Sequence, residues 1–176
     1  HGMGTWQSAT GDRYEGEFRN GLFDGLGRFS YIEGGVYEGE FQAGRMHGHG
    51  RFSQDGTVYE GEFRNNLYHV QGSLEYADGF SHQGQFSKGQ PDGPGTRSDA
   101  NGQLSGHFNA GNLNGDGSFS TEHGERYSGH FENDQFHGQG RYEDSEGNAW
   151  NGTFVHGELS GTGTYVASDG SRYSGQ

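Results

Sequence analysis

Residues Tyr14-Glu15-Gly16-Glu17-Phe18-Arg19-Asn20-Gly21, followed by Gly25-Leu26-Gly27, decide how this chain folds. The pattern returns as Tyr37-Glu38-Gly39-Glu40-Phe41 with Gly48-His49-Gly50, and as Tyr127-Ser128-Gly129-His130-Phe131 with Gly138-Gln139-Gly140. Repeats start at Tyr14, Tyr37, Tyr59, His82, Leu104, Tyr127, Trp150 and Tyr173, in steps of 22 or 23 residues. Each start is followed two positions later by glycine. In every complete repeat, Phe follows at the fourth position and a further glycine at the thirteenth. Residues 1–13 are the tail of an earlier repeat and 173–176 the start of another. The chain therefore reads as one continuous array, 1–176, of about seven and a half repeats. It begins and ends inside a repeat, as a piece of a longer protein would.

Within a repeat the period is two. Tyr14, Gly16 and Phe18 share one face, and Glu15 and Glu17 share the other. After a loop containing Asn20 to Asp24, a second strand sets Gly27, Phe29 and Tyr31 against Arg28 and Ser30. Alternation of this kind is the mark of a strand covered on one face. Asp55-Gly56, Asp78-Gly79, Asn101-Gly102 and Asp169-Gly170 tolerate the positive φ of tight hairpin turns and are expected to link the repeats. The expected fold is all-β: an elongated, single-layer antiparallel meander of tandem hairpins. About fifteen strands at ~4.8 Å each would extend it on the order of 70 Å. Rings from a neighbouring strand are expected to lie over the bare backbone of the glycines.

Composition agrees with packing around glycine. Glycine contributes 37 residues and aromatics 14%, while Leu, Ile and Val together number only 13. That is too few for a deep two-layer core. No apolar run reaches the ~18 residues of a membrane-spanning helix. The absence of cysteine excludes a disulfide framework and thiolate metal sites and fits the cytoplasm. A net charge of −13 argues against nucleic acid as a partner.

The quoted motifs resemble the MORN repeat (membrane occupation and recognition nexus), and the resemblance runs the whole length of the chain. It implies the hairpin-array fold. MORN arrays similar to this occur in cytoskeletal scaffolds of protists, ciliary radial-spoke proteins and junctional membrane proteins. They also occur as accessory modules of lipid kinases and a lysine methyltransferase. The resemblance therefore implies a non-catalytic scaffold or protein-interaction module, cytoplasmic and cytoskeleton- or cilium-associated. Its alternatives are a phospholipid-tethering module and the accessory array of an enzyme whose catalytic domain lies elsewhere. A secreted carbohydrate- or choline-binding array ranks last. The chain departs from the pattern at Asn66, Val70, His82, Arg97, Leu104 and Asp134.

Candidate chemistry is sparse. The sequence lacks a Gly-x-Ser-x-Gly elbow and a phosphate loop ending in Gly-Lys-Ser/Thr. Neither catalysis nor a cofactor is expected. His1, His47, His69 and His137 share a column with Asp24, Asp92, Asn114 and Ser160. That column suits local backbone hydrogen bonding better than a metal site. The expected site is a groove on the ring face formed by Tyr14, Phe29, Tyr37, Phe52 and Tyr59. Its acidic rim is Glu15, Glu17, Glu38, Glu40, Glu60 and Glu62. The bland alternative is that every ring only covers glycine and the carboxylates form a solvated surface. The expected partner is a protein, through a helical peptide with an apolar stripe and basic residues. Open sheet edges make a homodimer an expectation too. The fragment alone is not expected to bind membranes, because acids far outnumber bases.

Overall fold

The computed structural model describes all 176 residues and contains no helix. Two compact units are present, His1–Gln90 and Pro91–Gln176. The first holds β1 (Gly2–Gln7), β2 (Arg13–Arg19), β3 (Leu22–Ser30), β4 (Val36–Gln42), β5 (Arg45–Gln54), β6 (Thr57–Arg64), β7 (Leu67–Glu75) and β8 (Ser81–Ser87). The second is built from β9 (Gln90–Asp99), β10 (Gly102–Asn109), β11 (Asn112–Ser120), β12 (Arg126–Glu132), β13 (Gln135–Glu143), β14 (Ala149–Val155), β15 (Glu158–Val166) and β16 (Arg172–Gly175). Within each unit sheet order equals chain order, with no crossover. Inside each unit every strand pairs antiparallel with the next, so the expected all-β meander of hairpins is the observed topology.

The loop expected from Asn20 to Asp24 is not a loop. Arg19 pairs with Leu22, leaving a two-residue turn, Asn20-Gly21, with φ of 52° and 78°. Positive φ at both positions is the primed turn whose twist matches that of the strands. Residues Asp24–Leu26 instead form a bulge inside β3, opposite Glu17, between the pairs Gly16↔Gly27 and Phe18↔Phe23. The same irregularity recurs at Gly39/Phe41, Gly61/Phe63 and Gly106/Phe108. Of the expected tight links only Asp55-Gly56 is a two-residue turn, between the paired Gln54 and Thr57. Asp78-Gly79 and Asp169-Gly170 lie in wider loops, closed by Tyr76 N–H to Phe80 O and Ala167 N–H to Ser171 O, both 2.8 Å. At Asn101-Gly102, Gly102 already pairs with Asp99 and the turn is Ala100-Asn101.

The bulge explains one departure from the repeat. Gly25 and Gly48 have φ of 103° and 61°, and the Glu17 and Glu40 carboxylates fill the room beside them. Val70 stands in that column with φ of 55°. A β-branched residue is strained in the left-handed region. Val70→Gly is therefore expected to stabilise the first unit by about 1 kcal/mol, a rise in melting temperature of roughly 5 °C. Thermal unfolding with no rise would show that the valine side chain offsets its own strain.

A row of glycines crosses each unit perpendicular to its strands. In the first unit the paired positions run Gly4, Gly16, Gly27, Gly39, Gly50, Gly61, Gly72, Gly84. Tyrosine rings lie over this row. A Cβ on Gly50 would sit 2.5 Å from Cε2 of Tyr37, and one on Gly72 would sit 2.5 Å from Cζ of Tyr59. Each tyrosine hydroxyl donates to the carbonyl three residues ahead: Tyr14 to Glu17, Tyr37 to Glu40, Tyr59 to Glu62, at 2.8 to 2.9 Å. Phe41 is clasped edge-on between Tyr14 and Tyr37, both with centroids 5.0 Å away, and Phe63 likewise between Tyr37 and Tyr59 at 4.9 and 5.0 Å. Phe154 and Phe131 flank Tyr127 in the second unit, each at 5.1 Å. Edge-to-face pairs add about 0.5–1.5 kcal/mol beyond area burial, so this lattice supplies much of what a second layer would.

Candidate functional site

The tyrosines are core, not groove. Tyr14, Tyr37 and Tyr59 retain 1%, 0% and 0% of their accessible surface. The reason is stacking. Rings from the other side of the glycine row fold over them: Phe23 onto Tyr14 at 3.9 Å and Tyr68 onto Tyr59 at 3.7 Å. Of the five expected groove rings, these three cannot meet a partner. Phe29 and Phe52 remain half-buried against the core, and of the two only Phe52 lines the groove described below. Burial pushes the hydroxyls of Tyr37 and Tyr59 far above the usual phenol range, so they stay protonated donors.

An open apolar groove of about 540 Å³ does exist in the first unit. Phe52, Met46, Tyr68 and Leu67 form its apolar walls, with Tyr31 at one side. Tyr31 lies 6.2 Å from Phe52 and 4.6 Å from Phe29 and keeps 37% of its surface. Gln54, Asn66, Gln90, Glu33 and Lys88 supply the polar margin. Burial raises the hydroxyl pKa of both Tyr31 and Tyr68, with the nearby Asp12 carboxylate adding to it for Tyr31. Met46, Leu67 and Tyr68 were not legible as site residues. They belong to the stretch after the hairpin turn, which the sequence suggests is loop. Tyr68 shares the column of Phe23 and Met46, and that register was the available signal.

The acidic residues form two rows on the face opposite the rings. In one, acid and base alternate across the strands: Glu15, Arg28, Glu38, Arg51, Glu60. Arg28 Nε lies 2.8 Å from Glu38 Oε1, both well exposed. Such pairs are worth little singly. The other row holds Glu17, Glu40 and Glu62. Glu17 Oε1 accepts the bulge N–H of Leu26, and Glu40 Oε1 that of His49, each at 2.9 Å. These carboxylates satisfy backbone that the bulge removes from the ladder. Glu38 and Glu60 flank a shallow polar groove of about 860 Å³ with His49, Gln71 and Ser73. They do not rim the ring groove.

In the second unit, two departures from the repeat meet. Arg97 Nη2 lies 2.8 Å from Asp134 Oδ1, and Arg97 Nη1 donates to the Gly111 carbonyl at 3.1 Å. The guanidinium sits over the Phe108 ring, 5.5 Å from its centroid. Asp134 Oδ1 also accepts the Leu113 N–H at 2.6 Å. Half-buried rings continue as Phe136, Tyr142, Trp150 and Tyr165, with centroids 5.0 to 6.4 Å apart. In the histidine column, Asp24 and Asn114 accept the N–H groups of Ala43 and Asn133, the first residues of the following hairpin turns.

A family model described as MORN repeat matches residues 1–13, 14–36, 37–58, 59–81, 82–104, 127–149 and 150–172. Its boundaries coincide with the repeat starts at Tyr14, Tyr37, Tyr59, His82, Tyr127 and Trp150. Residues 105–126 fall outside the matches, although β10 and β11 form the same hairpin there. No curated protein matches the chain.

Proposed function

Because the chain belongs to the MORN-repeat family over most of its length, we propose that it is a non-catalytic protein-interaction module that receives an apolar segment of a partner on its ring face. A cytoplasmic scaffold, cytoskeletal or ciliary, is the setting that the family likeness suggests. The observation that carries the reading is the open groove walled by Phe52, Met46, Leu67 and Tyr68. Exposed apolar clusters of this kind mark interaction surfaces. Peptides selected from a random display library on the whole chain should lose binding when Leu67, 47% exposed, is changed to Glu. The melting temperature of Leu67→Glu should stay unchanged. Retained binding by that variant would remove the groove as the site.

Charge favours protein over membrane. An anionic surface attracts basic residues at about 1 kcal/mol each, and here acids outnumber bases 24 to 11. The chain is expected not to sediment with anionic liposomes at physiological salt. Strong, salt-sensitive sedimentation would overturn this and favour lipid tethering. Changing Glu38, Glu40, Glu60 and Glu62 together to Gln is expected to leave the fold intact, since the amide oxygen at position 40 still accepts the His49 N–H. Partner binding should weaken only modestly, through association rate. Loss of binding at low and high salt alike would move the site to the carboxylate face.

A further inference from the structure

We propose that the ring-face groove takes a proline-rich segment in the polyproline-II conformation, laid across the strands, with basic residues at the end that meets Glu33. The inference rests on the protein-binding reading and replaces the helical partner expected from the sequence with an extended one.

Pitch is the first argument. The apolar lining of the groove recurs once per repeat, every second strand: Tyr31 just after β3, Met46 and Phe52 in β5, Leu67 and Tyr68 in β7. Two strand spacings are ~9.6 Å. One turn of polyproline II is three residues, ~9.3 Å. Every third residue of such a segment therefore meets an equivalent slot, with a slip of only ~0.3 Å per repeat. An α-helix shows the same face about every seven residues, or ~10.5 Å, and slips by about 1 Å per repeat.

Hydrogen bonding is the second. A polyproline-II backbone satisfies none of its own carbonyls. The groove margin is rich in donors: the Tyr31 and Tyr68 hydroxyls, the Gln54 and Gln90 amides and Lys88. A helix has already bonded its carbonyls internally and would set an apolar stripe against these donors. Aromatic-lined grooves receive proline-rich segments for this combination of reasons.

Charge is the third. Glu33 lies in the link after β3, and Lys88, the one lysine of the chain, in the turn after β8, at opposite ends of the strands. With a net charge of −13 over the chain, arginine or lysine belongs at the Glu33 end and an acceptor-rich end at Lys88. From β3 to β8 is about 24 Å at ~4.8 Å per strand. That is the across-strand component alone, so a segment lying obliquely between the two charges needs at least about eight residues of polyproline II.

The test is calorimetric titration of the whole chain with a synthetic peptide carrying proline at every third position and an arginine pair, placed at the amino end in one version and the carboxyl end in another. One version is expected to bind. Moving the prolines to every fourth position, at the same composition, should weaken binding about tenfold or more. Tyr31→Ala and Glu33→Lys should each weaken it about tenfold with unchanged melting temperature. Equal binding of both proline spacings, or binding by neither, overturns the proposal. An amphipathic helical peptide serves as the second arm. If it binds, and Tyr31→Ala abolishes that binding, the polyproline-II reading falls while the protein-binding reading stands. If neither kind of peptide binds and display selection is also barren, both fall.

Discussion

Gly50→Ala is expected to lower the melting temperature of the first unit by about 15 °C, a loss of about 3 kcal/mol. The new Cβ would stand 2.5 Å from Tyr37 Cε2, a distance that real Cβ atoms do not tolerate. The ring cannot swing aside easily. Its hydroxyl donates to Glu40 O at 2.8 Å, and Phe41 and Phe63 close on its edges. Moving it breaks one buried hydrogen bond and two ring contacts as well as opening the core. Gly44→Ala is the matched control. Nothing lies within 4 Å of a Cβ there, and the only penalty is a φ of 82°. That substitution should cost about 1 kcal/mol. Equal losses at Gly44 and Gly50 would mean that backbone strain, not the ring over the glycine, sets the cost. The account of the core as rings folded over a glycine row would then be wrong.

The contrast between these two glycines also shows how far the sequence could be read. The columns place Gly50 and Gly44 at different points of one repeat, and the alternation of Tyr37, Gly39 and Phe41 assigns them one face. Strand pairing, the antiparallel meander and ring-over-glycine packing follow from that. What the columns do not carry is which ring ends on top. Tyr37 and Phe52 occupy paired positions on one face, yet one is buried and the other half-open. The difference comes from the bulge after each hairpin turn. It tilts residues such as Phe23 and Tyr68 over the strand-leading tyrosines and nowhere else. A bulge leaves no separate mark when its residues, such as Asp24-Gly25-Leu26, read equally well as loop. For the same reason the Glu17 and Glu40 carboxylates read as a recognition rim, although two of their oxygens are occupied by backbone N–H groups of that bulge. The candidate site was partly legible: its face and one of its rings, Phe52, but not the other residues that wall it.

Arg97 and Asp134 were legible only as separate blemishes, 37 positions apart, one replacing a second-strand aromatic and the other a turn glycine. Their pairing in space predicts strong coupling. Asp134→Gly relieves a left-handed backbone, φ of 68°, worth about 1 kcal/mol. It also strips the carboxylate from Arg97, whose side chain is only 13% exposed, and from the Leu113 N–H. The second loss should win, because breaking one half of a largely buried pair costs about 3 kcal/mol. The net destabilisation is then about 2 kcal/mol. Arg97→Phe alone restores the ring of the other repeats but leaves Asp134 without its cation, and should destabilise by about 1 kcal/mol. The double variant Arg97→Phe with Asp134→Gly restores the repeat at both positions at once. It is expected to be at least as stable as the parent, since an apolar replacement of a buried ion pair is often neutral or better. A denaturant double-mutant cycle would read this as a coupling of about 3 kcal/mol between the two sites. Additive losses, leaving the double variant the least stable of the four, would show that Arg97 is held by the Phe108 ring and the Gly111 carbonyl rather than by Asp134.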